Sequence, residues 1–144
     1  QQQANSMVAR LDKLTPETNR LWGKMDVAQM MAHCSFAFEY ALKDDVPRPN
    51  FLLRFMVNLF YKSTIIGSKP YKKSIPTAPN FVIKEPKDFD EEKKKLAGYI
   101  EQIKSLGSEA YEGKKHPVFG VMTSAQWSTL LTKHLDHHLQ QFGV

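Results

Sequence analysis

The stretch Thr123–Val144, "TSAQWSTLLTKHLDHHLQQFGV", decides how this chain is read. Thr123 with Gln126 three residues on is a capping box: the hydroxyl accepts from a first-turn amide and the glutamine side chain returns a bond. The box predicts a helix that starts here and runs to Gly143, a residue type that stops helices. At about 100° per residue, Trp127, Leu131, Leu135 and Phe142 share one arc, with Leu130 on its border. His134 and His138 fall inside that apolar arc, Asp136 falls opposite, and His137 lies at the edge. Two of the three terminal histidines therefore point inward. Imidazoles one helical turn apart, about 5–6 Å at Cβ, can converge on one ion.

A third imidazole stands on another predicted helix. Asp26 and Gln29 form a second capping box, and the helix they open should continue to about Lys43, before "DDVPRP" stops it. Gln29, Phe36, Ala37 and Tyr40 share the side of His33, so this histidine is also turned toward the interior. An unpartnered buried polar group costs on the order of 1–3 kcal/mol. Either the three histidines share an ion or a polar network satisfies them. Asp136 is on the wrong side of its helix to orient them, so the supporting partners are Gln29, Tyr40, Gln141, backbone or water. Gln29 and Tyr40, beside His33, are also the expected contacts of a substrate pocket. Cys34 is rotated by about 100° from His33 and reads as a small buried hydrophobe. His116, before a proline, reads as a hydrogen-bonded loop residue.

The remaining sequence is consistent with one all-α domain over residues 1–144. Met7, Val8, Leu11 and Leu14 recur at helical spacing near the start. Asp88 with Glu91 in the capping-box position opens a helix with an apolar stripe of Phe89, Leu96, Ile100 and Ile103, ended by Gly107. Between these lies a long crossover, from Pro47 to Pro86. It holds an apolar helical run from Phe51 to about Ser63, then "KPYKKSIPTAPNFVIKEP", whose prolines predict an extended wall or lid. No strand pattern is strong enough to build a sheet. The simplest architecture is a four-helix bundle with the long crossover between its second and third helices.

Composition narrows the function classes. The net charge is +5, but most lysines alternate with acids, as in "DFDEEKKKLAGYIEQIK", which describes a solvated helix face rather than a nucleic-acid stripe. The run "SKPYKKS" is the exception and could greet an anionic substrate. No apolar segment reaches the about 18–20 residues that span a bilayer, so no membrane partner is expected and the cytoplasm is the default compartment. There is no glycine-rich phosphate loop, nucleophile elbow or C-x-x-C pair. The segment "FLLRFMVNLF" is apolar almost all round and should be covered by the bundle or by a second copy in a homodimer. A non-catalytic ligand-binding or structural bundle that dimerises this way is the alternative to an enzyme.

The segments "LTPETNRLWGKMDVAQMMAHCSFAFEYAL", "KPYKKSIPTAPNFVIK" and "HPVFGVMTSAQWSTLLTKHLDHHLQQFGV" together resemble the DinB-like superfamily of metal-binding four-helix bundles, in its branch of unknown function. The resemblance implies a divalent metal, zinc or nickel, held by His33 on the second helix and by His134 and His138 on the fourth. Characterised members of that superfamily include transferases that use a low-molecular-weight thiol, so a metal-dependent transferase acting on a small-molecule substrate is the expected activity, with hydrolysis by metal-bound water as the other use of such a site.

Overall fold

The computed structural model describes residues 2–67, 69–73 and 82–144. Among them the chain is mostly helical, in agreement with the all-α expectation. Helix α1 spans Gln2–Leu11, α2 Val27–Leu42, α3 Phe51–Phe60, α4 Lys62–Ile66, α5 Phe89–Leu106 and α6 Ser124–Gln141.

The predicted caps set the helix starts. Asp26 accepts from Gln29 N at 2.8 Å, and Gln29 Oε1 accepts from Asp26 N at 3.0 Å. Thr123 and Gln126 make the same reciprocal pair at the start of α6. At α5 only the forward half forms, with Asp88 accepting from Glu91 N. The acids Asp90, Glu91 and Glu92 in its first turn oppose the positive end of the helix dipole. Gly107, at φ 76°, ends α5 in a conformation that disfavours a Cβ.

Helix α2 packs against α5 and α6, and α1 packs against the same two helices. Its buried residues run nearly round its circumference, from Val27 to Ala41, as befits a central helix. The core is built from Leu11, Met30, Met31, Leu96, Trp127 and Leu139 with their neighbours. The ends of the chain are tied together, since Arg10 pairs with Asp136 at 2.6 Å and donates to Val144 O at 2.8 Å.

Two expectations are corrected. A short antiparallel ladder pairs β1, Lys115–His116, with β2, Gly120–Val121. Two residues per strand are too few for a period-two pattern to register in sequence. The turn is tied by His116 Nδ1, which accepts from Val118 N at 3.1 Å and Phe119 N at 3.2 Å.

The crossover helix is also different from its expectation. The run is helical as expected but breaks at Tyr61 into α3 and α4, and α3 buries none of its residues, so of the two covers expected for it the bundle is not the one. Asn58 faces the protein instead and donates to Val118 O at 2.8 Å. Of the proline-rich stretch expected to form a wall or lid, residues 74–81 lie outside the described residues, and residues 69–73 and 82–86 form no helix or strand.

Candidate metal centre

His33 lies in the middle of α2, while His134 and His138 sit one turn apart on the inner side of α6. Because α2 packs on α6, the three rings meet with centroids 4.8–5.0 Å apart. His33 Nε2 and His134 Nε2 are 3.1 Å from each other. One ligand nitrogen from each of the three lies within 4.8 Å of the others. Nitrogens about 2.0–2.1 Å from a tetrahedral ion are separated by about 3.3 Å. The His33–His134 edge already has that length, and the trio as a whole is slightly open.

The protonation states suit a cation. His138 is held down at about 3, first by burial and then by repulsion from His33, with its bond to Gln141 pulling the other way. His134 is pushed well below the usual imidazole range, again by burial first and then by the neighbouring histidines. Both rings are therefore neutral at pH 7. Neutral imidazole is the form that ligates metals.

One partner fixes which nitrogen of His138 is free. His138 Nδ1 is 2.8 Å from Gln141 Oε1. Gln141 Nε2 donates to the Trp22 carbonyl at 2.7 Å. A carbonyl can only accept, so the amide nitrogen must face Trp22 and the amide oxygen must face the imidazole. His138 Nδ1 then carries the proton, and Nε2 is left as the ligand atom. The backbone is threaded tightly here, since Leu21 N also donates to Gln141 O at 2.7 Å. A Cβ on Gly23, which is at φ 84°, would collide with the Gln141 amide nitrogen. His134 has no equivalent support, because its buried Nδ1 has no hydrogen-bond partner among the described residues.

His137 forms the rim. Its ring lies 5.9 Å from Trp22 and 5.6 Å from Tyr71. Lys73 Nζ sits 4.4 Å from the Trp22 ring, and Lys133 Nζ sits 4.4 Å from the Tyr71 ring. Lys133 also donates to the carbonyls of Thr64 and Gly67, which binds the crossover to α6. Nothing in the sequence pattern marks Trp22, Tyr71 or Lys73 as part of the site, although the run "KPYKKS" stands out as a place for anions. Its members arrive from outside the periodic helices, so no helical wheel could aim them.

The other named residues fall as follows. Gln29 completes the α2 capping box and donates to Glu85 O at 3.3 Å, one turn before His33. Tyr40, about 10 Å along the helix axis from His33, lies edge-on to His116 with centroids 5.4 Å apart. His116 is hydrogen-bonded as expected, although it lies in β1 rather than in a loop, and its ring also stacks on Phe119. Cys34 is fully buried, and burial pushes its thiol far above its ordinary range, so it is an inert core residue.

The chain matches the family described as "Protein of unknown function (DUF1569)" over residues 2–143, and it belongs to that family. No curated protein and no solved structure matches it.

Proposed function

We propose that the protein holds zinc or nickel through His33, His134 and His138. In this reading α1, α2, α5 and α6 form a DinB-like four-helix bundle with α3 and α4 in its long crossover. The observation that carries the proposal is the convergence of three ligand nitrogens within 4.8 Å, two of them 3.1 Å apart. Three protein ligands leave a coordination position open, which is how catalytic sites differ from closed structural ones. When bound, the ion would supply Lewis-acid chemistry, lowering the pKa of a thiol or water so that a nucleophile exists at neutral pH.

The chain's own residues do the rest. Gln141 holds the proton on His138 Nδ1 and so keeps Nε2 available. Trp22 and Tyr71 wall one side against water, and Lys73 and Lys133 set positive charge along that wall. A small molecule bearing an anionic group is favoured there over a cationic one. The activity that fits best is thiol S-transfer to a small electrophile, with hydrolysis by an activated water as the same site's other use. Gln29 and Tyr40 remain the proposed substrate contacts along α2.

The test is elemental analysis of protein purified without an affinity metal column. About one equivalent of transition metal in the wild type, absent from His134→Ala, is expected, followed by thiol-dependent consumption of an electrophile such as a chloronitrobenzene. No uptake of added zinc or nickel would mean that the histidines form a hydrogen-bond network and that the metal reading is wrong. Metal without turnover would leave a binding protein rather than an enzyme.

A further inference from the structure

Helix α3 is inside out. At about 100° per residue, Phe51, Phe55, Leu59, Leu52, Met56 and Phe60 sweep an arc of about 180°, and that arc faces away from the protein. Phe51 is 80% exposed, Leu52 67%, Leu59 61% and Phe60 59%. The opposite side carries Arg54, Val57 and Asn58, and Asn58 is hydrogen-bonded into the domain through Val118 O. The exposed arc holds no charged residue. Its area is on the order of 800 Å², beyond the about 300–600 Å² patch that an ordinary monomer shows.

The charge of the chain segment that carries this helix is one-sided. Residues 46–84 contain seven of the chain's 20 basic residues, among them Arg48, Arg54, Lys62, Lys69 and Lys72, and none of its 15 acids. The rest of the chain is then slightly acidic, with 13 basic residues against 15, and the whole net positive charge belongs to the segment that carries the apolar face. The nearest acid with a described partner, Asp44, is paired to Lys114. Two copies pairing through α3 would bring these like charges together, which disfavours association. An exposed apolar helix face on a segment with basic residues and no acids is instead complementary to a surface that is apolar below and anionic above.

We propose that α3 is a membrane-surface anchor that lies in the interface of an anionic lipid bilayer with Phe51, Leu52, Phe55, Met56, Leu59 and Phe60 inserted. Among the described residues no helix is long and apolar enough to cross a membrane, so the contact is peripheral. The expectation of no membrane partner rested on spanning length alone, which does not address a helix lying flat.

The experiment is co-sedimentation of the full chain with vesicles of phosphatidylcholine, with or without about one phosphatidylserine in four. A variant combining Leu52→Gln, Phe55→Gln and Leu59→Gln is compared under the same conditions, and its circular dichroism and melting serve as controls. These side chains are exposed, so the variant should fold and melt as the wild type does. Wild-type partition into the anionic vesicles should exceed that into neutral ones at least tenfold. It should fall steeply in high salt and drop at least tenfold in the variant. Absent binding, equal binding to both vesicle types, or undiminished binding by the variant would each overturn the proposal. A wild-type dimer that the variant converts to a monomer, with no vesicle binding, would assign the face to a second copy instead. None of these readouts depends on a metal or on turnover, so the anchor can fail while the histidine centre stands, and the reverse.

Discussion

Replacing Gln141 with alanine should weaken metal binding without touching a ligand. The side chain performs two tasks at once: its oxygen accepts from His138 Nδ1 at 2.8 Å and its amide donates to Trp22 O at 2.7 Å. Without it, His138 loses the acceptor that fixes its tautomer and ring angle. Loss of such a support typically costs 10–100-fold in metal affinity, or about 1.4–2.7 kcal/mol. The metal-free fold suffers as well, because a buried N–H and a buried carbonyl each lose a partner, at about 1 kcal/mol or more apiece. For a chain near 150 residues, where 1 kcal/mol moves the midpoint by about 2–4 °C, a drop in Tm of about 5–8 °C follows.

A second variant reaches the same site from the backbone. Gly23 sits at φ 84°, and an added Cβ would strike the Gln141 amide nitrogen. Gly23→Ala should therefore pay the left-handed penalty, about 1–2 kcal/mol, and also displace Gln141 from His138. Gln140→Ala is the control, since Gln140 is exposed and its side chain, among the described residues, bonds to Asp136 alone, at 2.7 Å. The assay is calorimetric titration of metal-free protein with zinc, beside thermal melts of the three variants. Both Gln141→Ala and Gly23→Ala should bind zinc more weakly, and Gln140→Ala should match the wild type. If Gln141→Ala melts lower but binds zinc with wild-type affinity, Gln141 only staples residues 21–23 to α6, and the tautomer reasoning is refuted.

Metal and fold should be linked: zinc at about 100 times its Kd stabilises the wild type by about 2.7 kcal/mol, chelator reverses this, and His134→Ala shows no shift in a thermal melt. Stability should fall as pH drops below about 6.5, because burial holds His138 at about 3 and His116 at about 4. In that window the unfolded chain takes up protons that the fold refuses, at up to about 1.4 kcal/mol per pH unit for each ring. Urea midpoints measured at pH 7.5, 6 and 5 should therefore decrease in that order, and a flat series would mean that the rings are not neutral in the fold. Leu135→Ala, at a core side chain 1% exposed, should cost about 2–5 kcal/mol by denaturant titration. Asp26→Ala removes the carboxylate that accepts from Gln29 N in the α2 capping box and should cost about 0.5–2 kcal/mol by the same measurement.

The histidine trio was legible because two local rules fix a helical phase before any tertiary structure is known. Asp26 with Gln29, and Thr123 with Gln126, mark where α2 and α6 begin. A residue's angle about the axis then follows from its number alone, and His33, His134 and His138 came out on inward faces. Gln141 was among the partners that the same wheel allowed, and it is the one that supports His138. The rim was not legible. The Trp22 carbonyl, Tyr71 and Lys73 reach the site from segments with no period, and their placement depends on how residues 21–23 and the crossover are tied to α6. Such ties are between residues more than sixty positions apart, and nothing local in either partner announces the other.

Helix α3 shows a different kind of limit. A helix that is apolar almost all round carries a strong demand for cover and almost no instruction about orientation, because turning it about its axis exchanges one apolar side for another. Its few polar positions then decide. Asn58 is hydrogen-bonded to Val118 O, and just past the helix Lys62, the first residue of α4, reaches Phe119 O at 3.3 Å. Both anchor the helix to the hairpin that His116 organises. Turning α3 by half a revolution would bury the phenylalanines but strand Asn58 and leave Val118 O without its donor. A buried unpaired polar group costs about 1–3 kcal/mol, and several exposed aromatics cost more than that if water is all that ever meets them. The observed orientation is therefore the favourable one only if something apolar covers the outer face, and the basic residues around it say what charge that cover should bear.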